Sequence, residues 1–142
     1  MFKNDMMYFP EQYSIIYKVS YLMLFTVLYG IYKQKYDLTI IPAAIFLTSI
    51  NHWKKPKNNS FRRKMDLIVT RVSLILVLII GYKSEFYAYY YFLLILAASL
   101  YPLGSFLYSQ KLYWCSVYTH ALFHILSNIA CIILFSGSLL FQ

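Results

Sequence analysis

YWCSVYTHALFHILSNIA, residues 113–130, is a strongly apolar run that nevertheless carries His120 and His124 four residues apart. On a helix, side chains at i and i+4 stand about one turn apart on the same face. Ser116 lies four residues before His120, and Asn128 four after His124. The run therefore predicts a helix of Val, Leu, Ile, Phe and Ala interrupted by one polar stripe: Ser116, His120, His124 and Asn128. Imidazoles inside an apolar helix need a partner, and the rest of the chain is read for one.

The 142 residues are 61% hydrophobic and only 13% charged, with a mean hydropathy of +0.56. These values lie outside the range of soluble domains and predict an all-α, multi-pass integral membrane protein. A spanning helix takes about 20 mostly apolar residues. The length accommodates five spans, about 13–32, 37–53, 66–82, 85–103 and 113–141, in a single transmembrane domain covering 1–142. Asp5, Pro10 and Glu11 precede the first apolar segment and no small-residue cleavage site follows it, so it reads as a retained span. Pro102 with Gly104 is expected to end the fourth. Cys115 and Cys131 fall on one predicted helix, too far apart to be bridged with each other.

The net charge of +8 would suit a nucleic-acid partner, but six of the thirteen basic residues fall in Lys54 to Lys64, between two apolar segments. In a multi-spanning chain that cluster reads as a topology determinant, with anionic lipid head groups as its secondary partner and nucleic acid not expected. The N terminus and the Lys54–Lys64 loop are then cytosolic. One consequence is independent of orientation. The loops after the second and fourth spans are separated by two crossings, so they share a side. The end of the second span, the start of the third and the start of the fifth must share it too. Those ends carry His52, Asp66 and the His120/His124 pair.

Three histidines and a carboxylate from three helices match a catalytic zinc site, which takes three protein ligands and leaves the fourth position to water. His52, His120 and His124 are the candidate ligands. Asp66 is placed to take a proton from a metal-activated water. Thr48 or Ser49, about one turn before His52, could hold a carbonyl oxygen as negative charge develops on it. Ser116 and Asn128 would stand behind the ligands or pack the helix. Blander readings use the same residues. Each histidine could hydrogen-bond across a helix interface, Asp66 could complement its helix dipole or pair with Arg62, Arg63 or Arg71, and Thr48, Ser49 and Ser73 could be interhelical glue.

The pieces LTSINHW, KMDLIV and HALFHIL occur in the order hydroxyl and His, then Asp, then H-x-x-x-H. In this they resemble the CREST superfamily, which includes alkaline ceramidases and progestin and adipoQ receptors. HALFHIL is especially similar to the His-Ala-aromatic-His-Ile-Leu run of the alkaline ceramidases. The resemblance implies zinc as cofactor on His52, His120 and His124, assisted by Asp66 and a hydroxyl, and hydrolysis of a lipid amide such as a sphingolipid. The superfamily typically has seven helices; dropping two crossings preserves sidedness, and a homodimer could complete the enclosure. The alternatives are a receptor-like or structural membrane protein whose metal only ties helices together, and a proton or ion pathway built from the polar stripes.

Overall fold

The computed structural model describes residues 6–138, and among these it is all-helical. The elements are α1 (Pro10–Ser20), α2 (Leu22–Tyr32), α3 (Tyr36–Trp53), α4 (Phe61–Gly81), α5 (Tyr87–Ser109) and α6 (Tyr113–Ser136). Pro10 opens α1 at the position where its missing N–H costs least. The break between α1 and α2 is a single residue, Tyr21, still in right-handed helical conformation. There the Ser20 hydroxyl donates back to the Ile16 carbonyl at 2.8 Å, and the Leu24 N–H reaches only three residues back, to Tyr21, at 3.0 Å. Such bonding tightens and bends a helix without ending it.

Three helical stretches, Pro10–Tyr32, Tyr87–Ser109 and Tyr113–Ser136, are long and apolar enough to cross a membrane. This is what an integral membrane protein requires. α3 and α4 are more polar at their ends, through Asp37, Asn51 and His52 in one and Arg62, Arg63, Lys64 and Asp66 in the other.

The helices alternate in direction. At one end of the bundle Met7, Tyr8, Trp53 and Val117 form a buried cluster with Tyr108 and Tyr113 packed on it. At the other, Val77, Tyr90, Leu94, Ala130, Leu134 and Phe135 pack with Tyr29 and Leu38. The first cluster therefore joins the start of α1, the end of α3, the end of α5 and the start of α6. Gln34 and Lys111 both adopt left-handed backbone, with φ of 58° and 61°. Each follows a helix C-terminus and lets the next N–H reach five residues back, Lys35 to Gly30 and Leu112 to Leu107, which satisfies carbonyls the helix leaves open.

Two expected boundaries are corrected. α5 does not stop at Pro102 and Gly104 but runs through both to Ser109. Proline is tolerated inside a helix when a neighbouring helix supports the freed backbone, and Gly104 here passes its carbonyl to the Ser116 hydroxyl of α6 at 2.7 Å. α4 begins at Phe61, five residues before the expected 66, because Ser60 caps it by accepting the Arg63 N–H at 3.2 Å. Half of the basic cluster is thus helical. The last helix ends at Ser136, and positions 139–141 of the fifth expected span lie outside the described residues.

The end of α6 is pinned from both sides. Lys35 donates to the Gly137 carbonyl, and the Glu85 carboxylate accepts from both the backbone N–H and the hydroxyl of Ser138. Those two bonds hold the Glu85 carboxyl below its ordinary range. A depressed folded pKa means a stabilisation that is complete above the unfolded value and lost as pH falls through the folded one. Protection of the Ser138 amide relative to its intrinsic exchange rate should accordingly fall on acidification, and Glu85→Gln should flatten that dependence.

A tighter constraint sits at Gly81. A Cβ there would run into the ring of Tyr90, which is fully buried and donates its hydroxyl to the Val77 carbonyl at 3.0 Å. Gly81→Ala is expected to cost about 1–3 kcal/mol through overpacking, read as a lower midpoint in thermal denaturation of the detergent-solubilised protein. Ala at exposed Ala88 changed to Gly instead should cost about 1 kcal/mol or less by propensity alone.

Candidate functional site

Crossing the bundle near the Trp53 cluster is a cavity of about 310 Å³, at the small end of the range for ligand sites. His52, Asp66, His120, His124 and Ser49 all line it. The three helix ends that carry these residues do meet. α3 brings His52 and Ser49, both buried; α4 brings Asp66; α6 brings His120, half-buried, and His124, buried.

The α6 histidines face one another with ring centroids 5.0 Å apart. His52 is not in direct ring contact with them. Instead the Trp53 indole packs against both His52 and His120, with centroids 4.8 Å from each. Among the described residues no three His, Cys, Asp or Glu side chains are drawn together at metal-binding spacing. The donor chemistry nevertheless fits a metal. Nδ1 of His52 and Nε2 of His124 are buried and have no hydrogen-bond partner. A neutral imidazole carries one N–H donor and one lone-pair acceptor, and buried polar atoms without partners are uncommon. Two such nitrogens from different helices at one cavity are what a cation between them would satisfy.

Asp66 is held by hydroxyls, not by cations. Thr48 and Ser49 both donate to its Oδ1, at 3.0 and 2.8 Å. Both hydroxyls expected near a substrate oxygen thus serve the carboxylate here. Their surroundings separate the two. Ser49 lines the cavity, whereas the Thr48 hydroxyl lies within reach of the Ala44 and Ile45 carbonyls of its own helix. The expected pairing of Asp66 with Arg62 or Arg63 is not formed; Arg63 donates to the carbonyl and side chain of Asn58 at 2.8 and 3.3 Å. Arg71 lines the same cavity from an exposed position.

The flanking members of the α6 stripe point their bonds elsewhere. Ser116 bonds the Tyr8 hydroxyl at 2.9 Å and the Gly104 carbonyl. Asn128 donates to the His124 backbone carbonyl at 2.7 Å and accepts from Thr26 at 2.6 Å. They tie α6 to α1, α2 and α5 and leave the imidazole nitrogens unsupported. Residues 6–8 also close the cavity. Met7 and Tyr8 line it, the Met7 N–H donates to the Pro56 carbonyl at 3.1 Å, and Met6 makes an antiparallel bridge with Lys57. Burial raises the Tyr8 phenol pKa and its bond to Ser116 offsets this in part, so it remains a protonated donor at neutral pH.

Trp53 and Tyr8 were not legible as site residues in the sequence. The pattern of NHW, with an aromatic directly after His52, is the one signal that could have drawn attention to Trp53. No family model, curated protein or solved structure matches the chain.

Because Thr48 and Ser49 share one acceptor, their losses should not add. Either Thr48→Val or Ser49→Ala leaves Asp66 one donor and should cost about 1 kcal/mol or less, whereas the double variant strands the carboxylate and should cost about 3 kcal/mol. Denaturation midpoints of the four proteins check this; simple additivity would contradict the shared hold.

Proposed function

We propose that this chain is a five-span membrane protein of the CREST type that binds zinc through His52, His120 and His124 and hydrolyses a lipid amide. The observation that carries the reading is the pair of buried, unpartnered imidazole nitrogens beside a hydroxyl-held carboxylate in one cavity.

The five-span part is supported by how α3 and α4 divide their faces. On α4, Ile68, Val72, Ile75 and Ile79 are all more than half exposed, whereas Asp66, Thr70, Ser73 and Val77 line the cavity. On α3, Ile40 and Leu47 point outward, while Thr39, Ser49 and His52 are buried. Apolar side chains outside and polar ones inside is the reverse of a water-soluble helix and suits hydrocarbon. The basic residues from Lys54 to Lys64 then lie at the same surface as the polar end of the cavity, the cytosolic one by their charge, where anionic head groups can meet them.

Zinc bound here would supply a water nucleophile at neutral pH and polarise a carbonyl. The chain's own residues do the rest. Two hydroxyls fix Asp66 through Oδ1 and leave Oδ2 to accept the proton of the attacking water. Ser49, at the cavity wall, holds that geometry rigid. Ile41, Ile45, Leu74, Val77 and Leu94 line the rest of the cavity and give an acyl chain an apolar bed that excludes competing water.

Metal analysis of the detergent-purified protein should find close to one zinc per chain, and His120→Ala with His124→Ala should remove it. Asp66→Asn should keep the metal and lower amide hydrolysis by about 100-fold or more, as expected for loss of a general base. Zinc retained in the double histidine variant would refute the ligand assignment. Full activity in Asp66→Asn would refute the assignment of Asp66 as base, and no activity in either form with zinc bound would make the metal a tie between helices.

A further inference from the structure

Besides the two imidazole nitrogens, a third buried polar atom among the described residues has no partner: Nε1 of Trp53. It differs from them in kind. The indole N–H is a donor only, its nitrogen lone pair being part of the aromatic system, so no cation can satisfy it. Trp53 is 4% exposed and lines the same cavity. Its ring is held among His52, His120 and Tyr8, whose centroids lie 4.8, 4.8 and 6.0 Å away. A buried tryptophan ordinarily finds an acceptor for this hydrogen. Here Tyr8, the nearest hydroxyl-bearing ring, is committed to Ser116. A molecule in the cavity that Trp53 lines can supply the acceptor.

We infer that Trp53 is a ligand-positioning residue that donates its indole N–H to the carbonyl oxygen of an N-acyl lipid in this cavity. The Trp53 ring packs against His52 and His120, while the apolar lining of the cavity comes from Ile41 and Ile45 of α3, Leu74 and Val77 of α4 and Leu94 of α5. An amphiphile seated head-first would bring its amide to the indole and its chain to that lining. The choice of an amide rests on the hydrolase reading above; the need for an oxygen acceptor does not.

The chain has two tryptophans, and Trp114 is exposed, stacked only on Tyr118. Trp114→Phe therefore leaves Trp53 as the sole reporter. In dodecyl maltoside micelles, the resonance Raman band that senses hydrogen bonding at the indole N–H should move to the bonded position when N-hexanoylsphingosine is added. Sphingosine, which has the chain and head but no carbonyl, should leave it unmoved. Trp53→Phe removes the N–H together with part of the ring, so the loss is read against the amine: binding of the amide should weaken roughly fivefold to tenfold more than binding of sphingosine, the worth of one neutral hydrogen bond. An unchanged band with the amide, equal shifts with both lipids, or no greater loss for the amide than for sphingosine in Trp53→Phe would each overturn the inference. Zinc content separates this from the hydrolase reading: a band shift in metal-free protein would keep Trp53 and sink the hydrolase, and zinc with no band shift would do the reverse.

Discussion

The fold depends on one constraint: its outer surface is apolar, so its polar side chains have to be satisfied by each other. Phe25, Ile40, Ile79, Phe92 and Ile95 are each more than 60% exposed, while Thr26, Ser49, Ser73, Ser116, His124 and Asn128 are buried. Without water inside, an unpaired hydroxyl or amide costs several kcal/mol at membrane depth. The interior answers with long-range pairs: Thr26 to Asn128, Ser116 to Tyr8 and Gly104, Thr48 and Ser49 to Asp66. All of these join different helices except the bond from Ser116 to Tyr8, which ties α6 to the segment before α1. The helix order is written in these pairs as much as in apolar packing, since a helix that slid by one turn would leave a donor stranded.

Against that background the unpaired atoms stand out. The interior leaves Nδ1 of His52, Nε2 of His124 and Nε1 of Trp53 without partners, all at one cavity. Two are of a type a cation satisfies and one is of a type only an acceptor satisfies. In the hydrolase we propose, the first two would hold the metal, the third would meet a carbonyl oxygen, and the hydroxyl-held carboxylate of Asp66 would serve as the base.

Much of this was legible in the sequence, for identifiable reasons. The stripe on α6 follows from helical spacing alone, and counting crossings places His52 and Asp66 at its end of the bundle. What failed was local. Pro102 was read as a stop because propensity is local information, whereas α5 is carried past it by its contact with α6. Ser60 was overlooked as a cap because the charges after it, Arg62 to Lys64, read as loop. The bonds of Ser49 and Thr48 to Asp66 are not legible in sequence because which hydroxyls lie near a carboxylate is fixed only once two helices are docked. Trp53 was invisible for a further reason: its significance lies in a bond it does not make.

The short segment before α1 has a consequence of its own. Met6 pairs with Lys57 in an antiparallel bridge, the Met7 N–H donates to the Pro56 carbonyl, and Tyr8 reaches past them to Ser116. The roof over the polar end of the cavity and the turn that carries the surface charge are therefore one piece. Residues 6–8 act as a latch whose keeper is the turn between α3 and α4.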